Sequence, residues 1–202
     1  MTRDSRMEGR AMNRAGEHDG DERSGRKGVS PLVPAMERIE SAAFLDSVAD
    51  RLSPAVQPLV SSTYVRDALC GRWLGHALHP LLTDLPLGAW LSASLLDVFG
   101  GRRSRPAAEG LLAFGVAAAV PTALAGAAEW AATTGRERRV GVLHATTNTI
   151  ALGLYTASLA TRRRGRHSAA VALGIAGGIT ATAGGYLGGH LTINRKVGTT
   201  VT

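Results

Sequence analysis

Pro80-Leu-Leu-Thr-Asp-Leu-Pro-Leu-Gly-Ala-Trp-Leu-Ser-Ala-Ser-Leu-Leu-Asp-Val-Phe99 decides the fold class of this chain. The run is apolar along nearly its whole length. It matches the roughly 20 helical residues that cross about 30 Å of hydrocarbon. Three more apolar stretches follow at 110–129, 140–161 and 168–191. The pattern predicts an all-α integral membrane four-helix bundle at the cell membrane, with the lipid bilayer as its main partner. With four crossings, the start of the first helix, the end of the second, the start of the third and the end of the fourth share one side. That side collects His76, His79, Asp84, Glu129, His144 and His190, with Asn148 and Tyr186 one turn deeper. The other side carries Asp97, Glu109, His167 and the arginines of the two loops.

Within the first stretch, Pro80 suits an opening helical position because its missing N–H would be unpaired there, which places His79 at the cap. Pro86 and Pro121 each free a carbonyl and predict kinks. Asp84 and Asp97 are 13 residues apart, about 20 Å along a helix. At least one of these acids must therefore sit at or inside the hydrocarbon boundary and face protein or water. In the last stretch Gly174 and Gly178, Gly184 and Gly188, and Gly185 and Gly189 are each four apart. Such spacing lets helices approach closely, and it also suits helix-mediated homo-oligomers.

The net charge of +7 arises entirely after Gly75, from arginines and one lysine beside the apolar stretches. This is the pattern of membrane flanks, and no nucleic-acid recognition motif accompanies it, so a nucleic-acid partner is not expected. Cys70 is the only cysteine. An intramolecular disulfide and a cysteine-ligated cluster are thereby excluded. No secretory signal is visible, which leaves insertion to the membrane helices themselves.

Residues 1–33 are rich in Arg, Gly, Asp and Glu and are expected to be disordered. Residues 34–75 are expected to hold juxtamembrane helices. Ile39, Ala42, Leu45, Val48, Ala49 and Leu52 follow helical spacing in an amphipathic helix that Pro54 is expected to stop. Both signs of charge line this helix, which favours packing on protein over anchoring on lipid. A second short helix is expected over 63–74, followed by the membrane domain over 76–197 and a tail over 198–202.

Three readings of the histidine side compete. In the first, the histidines cap helix ends, bond to loops and serve an anchoring subunit without a cofactor. In the second, His79, His144 and His190 supply the axial ligands of a haem b, which needs two neutral imidazoles at one depth on facing helices. Arg72, Arg136, Arg138, Arg139 and Arg195 lie where haem propionates would emerge. In the third, His76, His79, His144, His190, Asp84 and Glu129 supply a metal ion or a proton path in a small transporter. Nucleophile–base pairs, phosphate loops and dinucleotide fingerprints are absent from the sequence, so the chain is not expected to be an enzyme on its own.

The run Gly71-Arg-Trp-Leu-Gly-His-Ala-Leu-His-Pro-Leu-Leu-Thr-Asp-Leu-Pro-Leu-Gly-Ala-Trp90 resembles the opening of a bacterial family known as domain of unknown function 2231. Leu143-His144 and Gly188-Gly189-His190-Leu191 also look like that family's pattern. The resemblance covers roughly Met36 to Val197 and implies a four-helix membrane domain. In many actinobacterial relatives a Rieske iron–sulfur domain follows, which implies a redox setting. This chain has no Rieske ligands after the last helix, so a separate Rieske-type or other redox protein would have to supply the cluster. The family's histidines would map to His76, His79, His144 and His190. The functional expectation is a redox-associated membrane subunit with a histidine-lined site.

The positive-inside rule barely discriminates, because each side carries a similar number of basic residues. A neutral N-terminal segment without a signal is more simply left inside, so both termini are expected in the cytoplasm.

Overall fold

The computed structural model describes Ser30 and residues 32–199. The disordered tail expected over 1–33 falls mainly on residues outside that range, although Leu32 and Val33 already belong to a helix. Among the described residues there are seven α-helices and no strand. They are α1 (Leu32–Ser41), α2 (Phe44–Ser61), α3 (Thr63–Leu69), α4 (Leu78–Phe99), α5 (Arg105–Trp130), α6 (Gly135–Arg163) and α7 (His167–Gly189). A π-helical turn, His190–Asn194, extends α7. Packing divides the chain between Arg38 and Ile39, and the contacts below all lie in the part from Ile39 onward.

The expected single amphipathic helix is two helices, broken at Ala42–Ala43, and Pro54 does not stop the second. α2 runs through both Pro54 and Pro58. The carbonyls these prolines leave free belong to Asp50 and Pro54, both solvent-exposed, so water satisfies them. The next helix ends at Leu69, short of the expected Leu74. Gly71 adopts φ +75°, and a Cβ there would run into the His76 carbonyl, so the chain turns at this glycine.

Among the described residues, three segments are long and apolar enough to cross a membrane: Leu78–Phe99, Arg102–Trp130 and His167–Asn194. α6 has the length but not the apolarity, because it carries several threonines, Asn148 and terminal arginines. Small residues line the interior, including Ala93, Ala108, Gly115, Ala125, Ala151, Ala170 and Gly177. Large ones face outward, such as Leu91, Phe99, Phe114, Val120 and Ile179. Lipid gives little hydrophobic drive between helices, so close backbone approach has to hold them, and this inside-small arrangement provides it.

α4 pairs with α5 and α6 with α7, giving two helical hairpins. α5 also packs on α6, and α4 on α7. α4 and α5 continue through Pro86 and Pro121. Pro86 cannot bond the Leu82 carbonyl, and the Thr122 hydroxyl donates to it instead at 3.2 Å, as well as to Ala118 O at 2.8 Å.

Candidate functional site

His79 and His144 are brought together. Their ring centroids are 6.0 Å apart and their planes lie at 86°. Each ring is held by its own hairpin. His79 Nδ1 lies 2.9 Å from the Thr122 carbonyl, and His144 Nδ1 lies 2.9 Å from the Gly184 carbonyl. A carbonyl can only accept, so both Nδ1 atoms carry the proton and donate. Nε2 is then the bare nitrogen on both rings.

The local sequence makes these bonds accessible. In a helix, the side chain four residues on flanks the carbonyl at position i. Here that residue is Gly126 for Thr122 and Gly188 for Gly184, and a Cβ on either would lie 2.8 Å from the imidazole. Ser158 uses a similar opening, donating to the Ala170 carbonyl at 2.6 Å beside Gly174. Beside His144, the Asn148 amide nitrogen donates to the His144 carbonyl at 2.9 Å and stands 3.3 Å from each ring nitrogen.

His190 is not part of that pair. Its Nε2 is 2.7 Å from Glu40 Oε1. Glu40 is buried and also receives the Arg195 guanidinium on both oxygens. Burial pushes the Glu40 carboxyl up, but the hydrogen bonds from Arg195 and His190 outweigh it and hold the group below its usual range. A buried carboxylate needs such partners, and this need draws His190 away from the other histidines.

His76 is exposed in the turn before α4, and Asp84 is exposed on α4. Glu129 accepts from the His79 backbone N–H at 3.4 Å. Among the described residues, no three His, Cys, Asp or Glu side chains gather into a group able to hold a metal ion. Of the six residues expected as metal ligands, His79 and His144 lie together and Glu129 meets the His79 backbone, whereas His190 bonds Glu40 and His76 and Asp84 face solvent.

The arginines expected beside haem propionates are mostly engaged elsewhere. Arg139 forms a two-pronged pair with Asp46 at 2.7 and 2.8 Å, which holds the Asp46 carboxyl below its usual range. Arg138 reaches Asp50 at 2.9 Å and Ser53 at 2.6 Å, and Arg72 lies 3.0 Å from Asp67. The Arg138 and Arg139 bonds, with Leu45 and Ala49 packed on Val142, fasten α2 to the start of α6. Beside that end, an open cavity of about 590 Å³ is lined by Arg66, Cys70, Ala77, Glu129, Glu137 and Gly198. Burial pushes the Cys70 thiol up, and Glu129 adds to the shift.

Two further layers lie beneath the histidines. Trp90 and Tyr155 stack at 4.2 Å with 19° between their planes. Farther along, Asp97 pairs with Arg162, both nearly closed to solvent. His79–His144, Trp90–Tyr155 and Asp97–Arg162 are each separated by 65 positions. Apolar periodicity alone does not reveal this correspondence, although the sequence carries a signal of it. His79 precedes Leu87-Gly88-Ala89-Trp90 as His144 precedes Leu152-Gly153-Leu154-Tyr155.

A family model described as "Predicted membrane protein (DUF2231)" matches residues 75–201. The chain belongs to this family. The matched DUF2231 region holds α4 to α7 and the His79–His144 pair, while α1 to α3 precede it. No curated protein and no solved structure matches the chain.

Proposed function

We propose that this DUF2231 protein is a redox-associated subunit of the cell membrane, crossing it four times, with one haem b held between His79 and His144. The observation that carries the reading is the pair of imidazoles on separate hairpins, each with Nδ1 on a backbone carbonyl and Nε2 without a proton, the His144 Nε2 also lying 3.3 Å from the Asn148 amide nitrogen. Ligating histidines characteristically give their other N–H to such an acceptor, which fixes tautomer and orientation. His79 and His144 would hold the group, their ring centroids lying 6.0 Å apart. The haem, when bound, supplies one-electron chemistry. The chain's own part is to hold two neutral rings at one depth.

The fourth crossing would be α6, and its polar groups are consistent with that role. The hydroxyls of Thr146, Thr147, Thr149 and Thr156 bond carbonyls one turn back, Ser158 bonds Ala170 and Arg162 bonds Asp97. Polar groups paired in this way are tolerated inside hydrocarbon. Both termini are proposed to be cytoplasmic, and a separate Rieske-type or other redox protein is the proposed electron partner. Labelling of a C-terminal tag from outside intact cells would overturn the orientation.

The test is a visible spectrum of protein made with ample haem supply and purified in mild detergent, oxidised and then dithionite-reduced. A Soret band that sharpens on reduction, and is lost in His79→Ala or His144→Ala, is expected. A colourless protein would favour the second reading, a structural subunit without cofactor. One observation supports that alternative: both rings fill notches left by Gly126 and Gly188, as purely packing histidines do.

A further inference from the structure

The two hairpins correspond at a set of spaced positions. α4 and α6 correspond at an offset of 65 residues, shown by His79 and His144, Leu87-Gly88 and Leu152-Gly153, Trp90 and Tyr155, and Ala93 and Ser158. α5 and α7 correspond at an offset of 62. Ala107-Ala108, Leu111, Gly115, Ala119 and Gly126 recur as Ala169-Ala170, Leu173, Gly177, Ala181 and Gly188. The buried positions agree as well: Ala108, Leu112, Gly115, Ala119, Thr122 and Ala125 against Ala170, Gly174, Gly177, Ala181, Gly184 and Leu187. Gly115 gives room to the Trp90 indole as Gly177 does to the Tyr155 ring. The bonds follow the same rule. Thr83 donates to the His79 carbonyl at 2.8 Å, and Asn148, its equivalent, donates to the His144 carbonyl.

We propose that the membrane part is one helical hairpin present twice, and that each copy carries its own imidazole holder. The holder is a carbonyl that takes the Nδ1 proton and a glycine four residues later that leaves space for the ring. His79 with Thr122 and Gly126 is one holder, and His144 with Gly184 and Gly188 is the other. The pair is then a single two-fold site between the copies, with Nδ1 protonated and Nε2 bare on both rings. Its ligand class is one metal-centred group that takes a neutral imidazole on each side. Only this last assignment rests on the haem reading; the duplicated holders do not. Gly126 and Gly188 act here as positioning residues.

The test uses the full chain, labelled with ¹⁵N-histidine, prepared without haem supply and studied by NMR in detergent at neutral pH. His79→Ala and His144→Ala variants assign the signals. Both histidines are expected to show a protonated Nδ1 and a bare Nε2. Gly126→Ala is expected to shift only the His79 signals, and Gly188→Ala only those of His144. Gly185→Ala, whose added methyl would meet nothing within 4 Å, is expected to shift neither. An Nε2-protonated tautomer on either wild-type ring would overturn the proposal, and this reading stands even if a glycine variant fails to fold. Equal effects from Gly185→Ala would also overturn it. Nδ1-protonated rings in a protein that stays colourless when haem is supplied would uphold the holders and sink the haem reading alone.

Discussion

The Asp97 carboxylate takes the Arg162 guanidinium on both oxygens, and the two side chains are 6% and 4% exposed. One residue comes from each hairpin, at equivalent positions. The pair therefore ties the hairpins together at the end opposite the histidines. It also gives a protein partner to one of the two acids of α4, as the sequence leads one to expect for at least one of Asp84 and Asp97.

Removing one partner leaves a buried charge alone. Asp97→Ala or Arg162→Ala is expected to destabilise the folded protein by about 3–5 kcal/mol. The double substitution to leucine is expected to recover most of that loss. Denaturant unfolding in detergent checks both.

Gly115 lies against the Trp90 indole, and a methyl there would overlap the ring, whereas a methyl at Gly153 would meet nothing within 4 Å. Gly115→Ala is expected to cost about 1–3 kcal/mol through overpacking and to change the tryptophan emission. Gly153→Ala is expected to leave both unchanged. Thermal unfolding followed by fluorescence separates the two outcomes.

The Glu40 carboxyl is held below its ordinary value of 4.5 by Arg195 and His190, with burial opposing them. A depressed carboxyl contributes stability that is present above the ordinary value and is lost as pH falls through the folded value. The bonds of Glu40 to His190 and Arg195 are thus expected to hold at neutral pH and to loosen below about pH 4.5. Glu40→Gln is expected to be less stable at neutral pH and to show a flatter acid response. Protease susceptibility around Ser41 against pH is the measurement.

If haem binds, the colour is expected to depend on His79 and His144 and to survive His190→Ala, because His190 serves Glu40. Reduced-minus-oxidised spectra of the three variants, at matched protein yield, decide this. Loss of colour in His190→Ala alone would contradict the geometry.

Thr122 connects three features: its hydroxyl bonds the carbonyl freed by Pro86, and its own carbonyl holds His79. Thr122→Val removes only the hydroxyl. It is expected to cost about 0.5–1.5 kcal/mol while leaving the His79 bond in place. Unfolding midpoints and the His79 ¹⁵N signals report the two effects separately.

Much of the fold is legible in the sequence. The apolar stretches over 80–99, 110–129 and 168–191 correspond to Leu78–Phe99, Arg102–Trp130 and His167–Asn194, because helix length and lipid thickness leave little freedom. The stretch over 140–161 lies in α6, whose threonines and arginines keep it outside the apolar group. Pro54 misled because a helix surface open to water tolerates proline better than an interior does.

The site was legible only in part. Grouping histidines by side brought His79 and His144 into view but added His76 and His190, since topology alone sorts residues by end and not by partner. The 65-residue correspondence was present in the sequence, but weak identity among Ala, Gly and Leu hides a repeat unless one compares positions that face the interior.

The sequence by itself determined that this chain is helical and apolar enough in its second part for a membrane protein, and it led to the expectation of four crossings, of which three segments have the length and apolarity among the described residues. These follow from composition and spacing, which act over one helix at a time. Only the tertiary structure decided which groups meet. It placed Arg162 on Asp97, Tyr155 on Trp90, His190 on Glu40 and each imidazole on a carbonyl exposed by a glycine. Those choices depend on how closely two backbones approach, and that distance is set jointly by small residues on different helices.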